Sequence, residues 1–421
     1  MSAEVVPVSD TDMLELPAKR ARLVSPEADE GSGEKALTPE HIFENLRLRR
    51  IVRENHTSTI AQIALMFYRP GDMGLGGHGT GGMPAYERTF DKRGSAIRES
   101  DDSSNLLVSV GTTQASVYDN ENHGDHLDIM SHFQLPDGSE DMLRCCCWLR
   151  VPNDALFAVA GEDQLVHLIS LAWTREIRIL RGHTGAVIGL QPHPTNHTVV
   201  LSVGNDHTVR LWSVLTGSCL GIYNHNGASA ARFHPDGKSL FIGSATGDVW
   251  KWPVPMLSDD CKEPATFGAD HGTQIVAGRR TLGSSVDCML FAKSNLLVKN
   301  TAGKIEYRDL ESGTLIRTFV VRHHGVSTSL FDVSYDDKYI CAGNSRGEVY
   351  IFDIETGKAI RRLAHKRSVR PVTCATFSRD CRSVAYTGEG GFIWRYDYVD
   401  DETLAEWEKP DDSATNEDAS D

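Results

Sequence analysis

The sequence lacks the motifs on which most enzymes and metal proteins depend. It has no GxSxG nucleophile motif and no HExxH zinc motif, and its one Gly-Lys-Ser triplet, at residues 237–239, lacks the first glycine of the GxxxxGK[ST] phosphate loop. Its nine cysteines show no paired CxxC spacing for zinc, and the adjacent Cys145, Cys146 and Cys147 would point to alternate faces of a strand. We therefore expect no catalytic residue, no metal site and no cofactor, and we interpret the cysteines as buried, reduced thiols.

Long apolar runs are also missing from the sequence. No stretch approaches the roughly 20 apolar residues that a membrane-spanning helix needs. The acidic first residues contain no apolar core of the signal-peptide type. Together with the reduced cysteines, this predicts a soluble intracellular protein without a membrane partner.

The net charge of −15 is concentrated in the two terminal segments. Residues 400–421 carry −9 and residues 1–40 carry −5, which leaves only −1 for residues 41–399. The N-terminal segment has no periodicity and is predicted to be a disordered acidic tail, and the C-terminal segment is predicted to be a second acidic tail. The basic cluster at residues 19–22 is either a nuclear-import signal or a chance cluster in a solvated tail.

The segment from Gly182 to Trp212 has the pattern of one WD repeat. Apolar and polar residues alternate up to Leu190, and a β-branched run follows at residues 199–203. A tight turn at residues 205–207 leads into the last strand. The Gly-His pair at the start and the Trp at the end are the signature of one propeller blade.

Four residues of this repeat are predicted to form a structural network. Asp206 lies in the turn between the second and third strands, where its carboxylate can accept hydrogen bonds from backbone amides and from His183. The imidazole can in turn reach Ser202 and Trp212. Such a charge-assisted network stabilises a blade that has little core of its own, so we expect these residues to be structural.

Six further copies of the third strand accompany this one. The seven third strands are predicted to begin at Ala115, Val166, Val209, Val249, Ile305, Val349 and Ile393. Their spacings of 51, 43, 40, 56, 44 and 44 residues mostly fit the WD-repeat length of roughly 40–45. The sequence therefore predicts an all-β fold, a seven-bladed WD-repeat β-propeller over residues 41–399 between disordered tails. Leu46–Arg53 is predicted to pair with the last blade and close the ring.

The longer spacings indicate insertions. Residues 123–141 and 253–283 are predicted to be polar, turn-rich connections, and residues 69–103 a disordered insertion between the first two strands of blade one. The segment Gly74–Gly79 matches GxGxxG, but no strand precedes it and no helix follows, so we interpret it as a loop. The His pair at 323–324 is interpreted as a blade connection rather than as a metal or acid–base site.

Several segments are more specific than WD repeats in general. They are residues 158–161, 181–183, 201–212, 342–353, 376–380 and 393–397. The last two read TFSRD and IWRYD, which are not general features of the repeat. Over roughly residues 46–398, the chain resembles the Polycomb WD-repeat family called embryonic ectoderm development or extra sex combs, as a divergent member.

This resemblance implies a non-catalytic scaffold of Polycomb repressive complex 2. One face of the family's propeller holds a helix of the SET-domain histone methyltransferase, and the opposite face binds a trimethylated lysine of a histone tail in an aromatic cage. The chain would then be a nuclear transcriptional repressor that supports histone H3 lysine methylation. Its implied partners are the SET-domain subunit, other Polycomb-complex subunits and a histone H3 tail.

The family's cage aromatics align with residues of other types in this sequence. The aligned positions are Ile60 or Ala61 in blade one, Arg144 in blade two, and Ser329 and Leu330 in blade six. Because a trimethylammonium group needs aromatic faces within about 6 Å, and because Arg144 would repel a cation, we expect an altered or absent cage. Candidate substitute aromatics are Phe67, Tyr68 and Phe331.

Two other functions stay open from the residues themselves. The first is a generic WD-repeat adaptor, such as a ubiquitin-ligase substrate receptor, which composition does not separate from the Polycomb scaffold. The second is direct nucleic-acid binding through the arginines of Leu46–Arg53 and the basic residues of 361–370. We expect the second to be minor, because no aromatic residues are interleaved with the basic ones.

Overall fold

The computed structural model describes residues 38–53, 59–66, 106–120, 128–136, 139–151, 154–255, 257, 263–277, 284–323, 329–378 and 380–407. These residues fall in the compact unit that spans Leu37–Asp421. Within the described ranges, no helix has both the length and the apolar character needed to cross a membrane.

Seven sheets form the seven blades of a β-propeller, which confirms the predicted fold. Blade one consists of β2 Gln62–Leu65, β3 Leu106–Gly111, β4 Gln114–Asp119 and β5 Asp128–Gln134. Blade two consists of β6 Leu143–Val151, β7 Asp154–Gly161, β8 Val166–Ser170 and β9 Arg175–Leu180. Blade three consists of β10 Val187–Pro192, β11 Val199–Gly204, β12 Thr208–Ser213 and β13 Cys219–Asn224.

The remaining four blades repeat this order of strands. Blade four consists of β14 Ala228–Phe233, β15 Ser239–Ser244, β16 Val249–Pro253 and, after a short added strand described below, β18 Thr273–Val276, and blade five of β19 Val286–Ala292, β20 Asn295–Asn300, β21 Lys304–Arg308 and β22 Leu315–Val320. Blade six consists of β23 Asp332–Val333, β24 Tyr339–Gly343, β25 Val349–Asp353 and β26 Ala359–Leu363. Blade seven consists of β27 Val372–Phe377, β28 Ser383–Gly388, β29 Phe392–Tyr398 and β1 Leu46–Arg53.

The burial of a strand follows from its place in the blade. The second strand of blade three, β11, is buried along its whole length, because both of its faces pack against neighbouring strands or blades. Its run of valine and leucine suits such a two-sided environment. The outermost strand of blade two, β9, is largely exposed and rich in charge. Apolar clusters between adjacent blades connect the sheets into a ring.

The ring closes through the N-terminal strand, as predicted. β1 pairs antiparallel with β29, from Leu46 opposite Tyr398 to Arg53 opposite Phe392. The last blade is therefore completed by residues from both ends of the described chain. This pairing removes the free edge that an unclosed blade would present to other strands.

Two short helices, α1 Pro39–Glu44 and α2 Asp401–Trp407, flank the closing strands. Phe43 of α1 is fully buried, and its ring lies 4.8 Å from that of Tyr339 in blade six. The side chain of Asn45 donates a hydrogen bond of 2.6 Å to Asp401 at the start of α2. The segment predicted as an acidic C-terminal tail thus begins with a helix that contacts the N-terminal segment.

Two predicted connections contain strands. The segment 123–141 includes β5, and the segment 253–283 includes β18 together with a short strand, β17 Ala265–Phe267. β17 leaves blade four and pairs in parallel with β13 of blade three, where Phe267 stacks on Tyr223 with ring centroids 4.6 Å apart. Outer strands have one solvated face, so their polar composition resembles that of a loop.

Several predicted features lie outside the described residues. They are the basic cluster at 19–22, most of the insertion at 69–103 with its Gly74–Gly79 segment, His324, and the aromatic residues Phe67 and Tyr68. The strands on either side of the insertion, β2 and β3, pair as the first two strands of blade one. The insertion therefore occurs at the predicted point of that blade.

The antiparallel strands give the propeller two distinct faces. The beginnings of all first strands and the turns between second and third strands lie on one face, which we call face A. The turns between first and second strands and between third and fourth strands lie on the opposite face, face B. First strands of all seven blades surround a central channel with a volume of about 550 Å³.

Candidate functional site

The structure joins the four predicted network residues of blade three by hydrogen bonds. Nδ1 of His183 lies 2.9 Å from Oδ2 of Asp206, and its Nε2 lies 2.6 Å from the hydroxyl of Ser202. The same hydroxyl accepts a hydrogen bond of 2.8 Å from the indole of Trp212. Because His183, Ser202 and Trp212 are all buried, the network links the strands inside the blade and offers no open surface to a ligand.

The charge in this network is held on Asp206. Burial opposes its ionisation, but hydrogen bonds from the Thr184 amide, from His183 and from Thr208 outweigh it and lower the pKa of the carboxyl. Burial lowers the pKa of His183, so its ring is neutral near pH 7. A neutral ring that donates from Nδ1 to the carboxylate can accept the serine proton at Nε2.

Blade two contains a second buried histidine with a different environment. His167 lies between two carboxylates: Nε2 is 2.5 Å from Asp163, and Nδ1 contacts Glu176 at hydrogen-bond distance. Burial opposes the charged ring, but the hydrogen bonds to both carboxylates outweigh it and raise the pKa of His167. The imidazolium therefore joins the second-to-third turn of the blade to its outer strand.

This arrangement predicts a pH-dependent contribution to stability. A raised pKa in the folded state means that the stabilisation is complete below the ordinary histidine pKa of about 6.5 and is lost as the pH rises through the folded pKa. The difference in free energy of unfolding between wild type and His167→Gln should thus shrink between pH 5.5 and 8.5 in urea titrations. His183→Gln is the matched control, with a difference that grows with pH because its pKa is lowered. A pH-independent difference for His167→Gln would refute the ion pairs.

The cysteines follow the predicted alternation. Cys145 and Cys147 lie in the apolar cluster between blades two and three, whereas Cys146 lies in the cluster between blades one and two. All three are buried, and burial raises the pKa of each thiol. In the described part of the chain, no three His, Cys, Asp or Glu side chains are grouped so as to hold a metal ion. His323 lies in the connection after β22, where its carbonyl accepts a hydrogen bond from Ser345.

The blade-one position of the family's cage is closed in this structure. Ile60 is fully buried, and its carbonyl accepts a hydrogen bond of 2.7 Å from the Thr373 hydroxyl of blade seven. Ala61 is half-buried, and its amide is bonded to the carbonyl of Val110. These contacts fix the backbone at the start of β2 and present no ring to face A.

The blade-two position carries a charge that is already neutralised. Arg144 lies on face A, and its Nε donates a hydrogen bond of 3.1 Å to Glu162, with which it forms an ion pair. That hydrogen bond lowers the pKa of the Glu162 carboxyl. The nearby carboxylate of Glu162 offsets the charge of Arg144, so any repulsion of a cation at this position would be weaker than that from an unpaired guanidinium.

The blade-six position is occupied by an internal ion pair. The side chain of Lys299 is fully buried, and its ammonium donates a hydrogen bond of 2.7 Å to the carbonyl of Ser329 and contacts Asp287. Asp287 also accepts a hydrogen bond of 2.9 Å from the Ser329 amide. A protein ammonium group thus lies against the residue that aligns with the cage.

The aromatic substitute in blade six faces the core. Phe331 is only 3% exposed and packs in the cluster between blades five and six, and Leu330 is half-buried beside it. The structure therefore brings Arg144 and the start of β2 to face A but does not provide an exposed ring at any described cage position. The remaining candidates, Phe67 and Tyr68, lie outside the described residues.

Face B exposes apolar side chains that the sequence analysis did not single out. Trp173 is 69% exposed in the turn between the third and fourth strands of blade two, and Leu215 is 55% exposed in the same turn of blade three. A hydrogen bond of 2.9 Å from Arg178 of β9, the strand that follows the first of these turns, to the carbonyl of Thr216 connects blade two to the turn of blade three. The sequence signal for this surface was an aromatic residue, Trp173, within a polar turn. An exposed indole does not stabilise a solvated turn, so its presence indicates a candidate contact with a partner.

The basic residues weighed for nucleic-acid binding lie on the outer strands β1 and β26 and, for Lys366, Arg367 and Arg370, in the connection between β26 and β27. Arg362 of β26 forms an ion pair of 3.6 Å with Glu348, and Arg49 of β1 lies 5.0 Å from the ring of Trp407. These contacts within the protein already engage part of the positive charge. The outer edge of blades six and seven is therefore less suited to phosphate than its composition indicates.

Comparison with known proteins agrees with the repeat pattern and the fold. The family model described as "WD domain, G-beta repeat" matches residues 174–213. The chain is 22% identical to the maize Polycomb group protein FIE1 over 63% of this chain and 62% of that protein, which is less than two thirds of its length. It is 21% identical to the maize Polycomb group protein FIE2, over 79% of this chain and 92% of that protein. It is 22% identical to the Polycomb protein esc of Drosophila melanogaster, over 70% of this chain and 78% of that protein.

A solved structure shows the same fold. A chain in the structure of a humanised mutant of the Chaetomium thermophilum Polycomb Repressive Complex 2, bound to the inhibitor GSK126, superposes with a TM-score of 0.64. The two chains are 14% identical, and the match covers 85% of this chain and 98% of that one. The chain is a seven-bladed β-propeller with a segment that matches the WD-repeat model, and it resembles the Polycomb proteins FIE and esc.

Proposed function

We propose that this protein is a non-catalytic scaffold subunit of a Polycomb-type histone H3 lysine methyltransferase complex that acts in transcriptional repression in the nucleus. The observation that carries the proposal is the similarity to Polycomb proteins along most of the propeller. A closed ring with two differently built faces suits a platform that binds several proteins at once. The SET-domain enzyme and the other Polycomb subunits are the partners that this role requires.

Face B is the proposed site for a helix of the SET-domain enzyme. In the family, the enzyme binds the face opposite the cage, and the cage-aligned positions here lie on face A. Face B presents Trp173 and Leu215 on adjacent blades, and both side chains are more than half exposed. An amphipathic helix that covers large exposed apolar side chains gains most of its affinity from a few of them.

Replacing Trp173 by Asp is expected to weaken binding of the co-purified SET-domain subunit about tenfold or more, because the change removes an aromatic contact and adds a charge at the interface. Isothermal titration calorimetry measures the affinity, and circular dichroism checks that the Tm is unchanged. Val369→Asp is the matched control, since Val369 is 67% exposed but lies on face A. Equal loss with both variants would argue against face B.

The second part of the proposal is that methyl-lysine recognition is altered or absent on face A. Ile60 is buried, Arg144 is paired with Glu162, and Ser329 is buried beneath the Lys299 ammonium. Without aromatic faces at these positions, the attraction between a ring quadrupole and a trimethylammonium group is missing. A histone H3 tail could still bind through its backbone, without reading the methyl group.

The corresponding experiment compares trimethylated and unmethylated histone H3 peptides in calorimetric titrations of the full chain. We expect the two dissociation constants to agree within about threefold, since cation–π contacts that would separate them by more are lacking. Binding of the SET-domain subunit is measured on the same protein, so that a change in peptide recognition is distinguished from a loss of the scaffold role. Micromolar binding of only the trimethylated peptide would contradict the proposal.

The alternative function is a WD-repeat adaptor, for instance a substrate receptor of a ubiquitin ligase. The fold permits it, because the faces of a propeller are not restricted to one class of partner. Affinity purification of the full-length tagged chain followed by mass spectrometry separates the two functions. A SET-domain protein among the partners supports the Polycomb scaffold, whereas a cullin-type partner supports the adaptor.

A further inference from the structure

An arginine side chain lines the central channel. Arg232 lies on β14, the first strand of blade four, and its half-buried side chain lines the cavity of about 550 Å³ on the propeller axis. Its Nε donates a hydrogen bond of 3.0 Å to the carbonyl of Met289 in blade five. In the ranges that the structure describes, no carboxylate forms an ion pair with this guanidinium, so its Nη donors remain available.

The acidic groups that line the same channel are engaged elsewhere. Asp287 forms its ion pair with Lys299 and accepts the Ser329 amide. Asp332 accepts hydrogen bonds from the Thr376 hydroxyl at 2.7 Å and from a backbone amide at 3.0 Å. Burial raises the pKa of Asp332, while its hydrogen bonds and the nearby charge of Arg232 act in the opposite direction. In the described residues, neither carboxylate lies within ion-pair distance of Arg232, so its Nη donors can meet an added carboxylate.

A second donor, the side-chain amide of Gln191, lines the same channel. Oε1 of Gln191 accepts a hydrogen bond of 2.8 Å from the amide of Phe233, the residue that follows Arg232. No hydrogen-bond partner is found for its Nε2 among the residues that the structure describes. Both the amide and the guanidinium can donate hydrogen bonds to a carboxylate in the channel.

The channel also offers apolar surface to a ligand. Side chains that line the cavity include Met66, Trp148, Leu190, Met289 and Phe291. The neighbouring thiol of Cys147 adds no negative charge, because burial raises its pKa to about 12. The volume lies in the range of roughly 300–1,000 Å³ that small-ligand sites occupy, and sites of this size combine apolar walls with few polar groups.

We infer that the central channel binds a small organic acid, with its carboxylate on Arg232 and Gln191 and its apolar body against Trp148 and Met289. This ligand would occupy the axis of the ring, whereas both surfaces of the proposed function lie on the faces. A test of ligand binding in the channel is therefore independent of a test of the Polycomb role.

The probe for this site is 4-phenylbutyrate, with 4-phenylbutan-1-ol as its uncharged counterpart. We expect saturable binding of one acid per full-length chain, measured by calorimetry and by a change in tryptophan fluorescence through Trp148. The alcohol should bind at least tenfold more weakly, since it forms no charge-assisted hydrogen bond. Absence of saturable acid binding, or equal affinity for acid and alcohol, would overturn the inference.

Variants identify the anion-binding group. Arg232→Gln is expected to weaken acid binding about tenfold or more, while Arg232→Lys retains the charge and should lie between it and wild type. Arg144→Gln on face A is the control and should bind the acid as wild type does. Circular dichroism checks the fold of each variant, and Arg232→Lys still tests the site if Arg232→Gln does not fold. Unchanged affinity in a folded Arg232→Gln would refute the assignment.

Discussion

Replacing Asp287 by Ala is expected to lower the Tm by about 4–7 °C, which corresponds to a loss of about 3–5 kcal/mol in the free energy of unfolding. The side chain of Lys299 is 0% exposed, and Asp287 is its counter-ion. Without the carboxylate, a charged ammonium would remain buried with the carbonyl of Ser329 as its described partner. A buried charge that loses its partner costs much more than the pair contributes over an apolar replacement.

The double variant Asp287→Leu with Lys299→Met is the control for this prediction. It removes both charges at once, so most of the lost stability should return. Differential scanning calorimetry of wild type, both single variants and the double variant gives the coupling between the two residues. If the double variant is as unstable as Asp287→Ala, the loss comes from packing at the start of blade five and not from the unpaired charge.

Replacing Asp206 by Ala should lower the Tm by about 3–5 °C, equivalent to about 2–4 kcal/mol, and should weaken partner binding at the same time. The carboxylate accepts bonds from His183 and from the amides of Thr184 and Thr208, and all of these donors lose their acceptor. Because the network holds blade three together and makes no surface for a partner, the effect on binding follows from the loss of stability.

Measurements of thermal unfolding and of affinity for the SET-domain subunit at the same temperature test the Asp206 prediction. The matched control is Asp270→Ala, whose side chain is 84% exposed and which should change the free energy of unfolding by no more than about 0.5 kcal/mol. Lost binding in an Asp206→Ala protein with an unchanged Tm would mean that the carboxylate contacts the partner directly.

The number of blades and the closure of the ring could be predicted from the sequence because both depend on local patterns. The third strands repeat at nearly constant spacing, and Leu46–Arg53 has the alternation of a strand without a repeat of its own. The network around Asp206 was predictable for the same reason, since its residues occupy fixed places in one repeat. By contrast, the weakly alternating outer strand β5 lay in a segment predicted to be a connection.

The environment of the cage-aligned residues on face A depends on contacts between blades, which a single sequence does not show. Lys299 directly follows three apolar residues in the second strand of blade five, and this was a signal that a buried counter-ion existed. Its partners Asp287 and Ser329 are 12 and 30 residues away, so no spacing rule connects them. The exposure of Trp173 on face B likewise depends on how its turn is placed, because the residue type alone favours burial.

The pairing of β1 with β29 also governs how this protein folds while it is being made. Leu46 pairs with Tyr398, so at about 5–20 residues per second the ribosome releases β1 roughly 20–70 s before its partner strand. During that interval β1 is an unpaired strand with apolar side chains such as Ile51. Its four arginines at 47, 49, 50 and 53 discourage pairing with other nascent chains, as charges on edge strands do. The same residues that complete the ring thus protect the unfinished chain from aggregation.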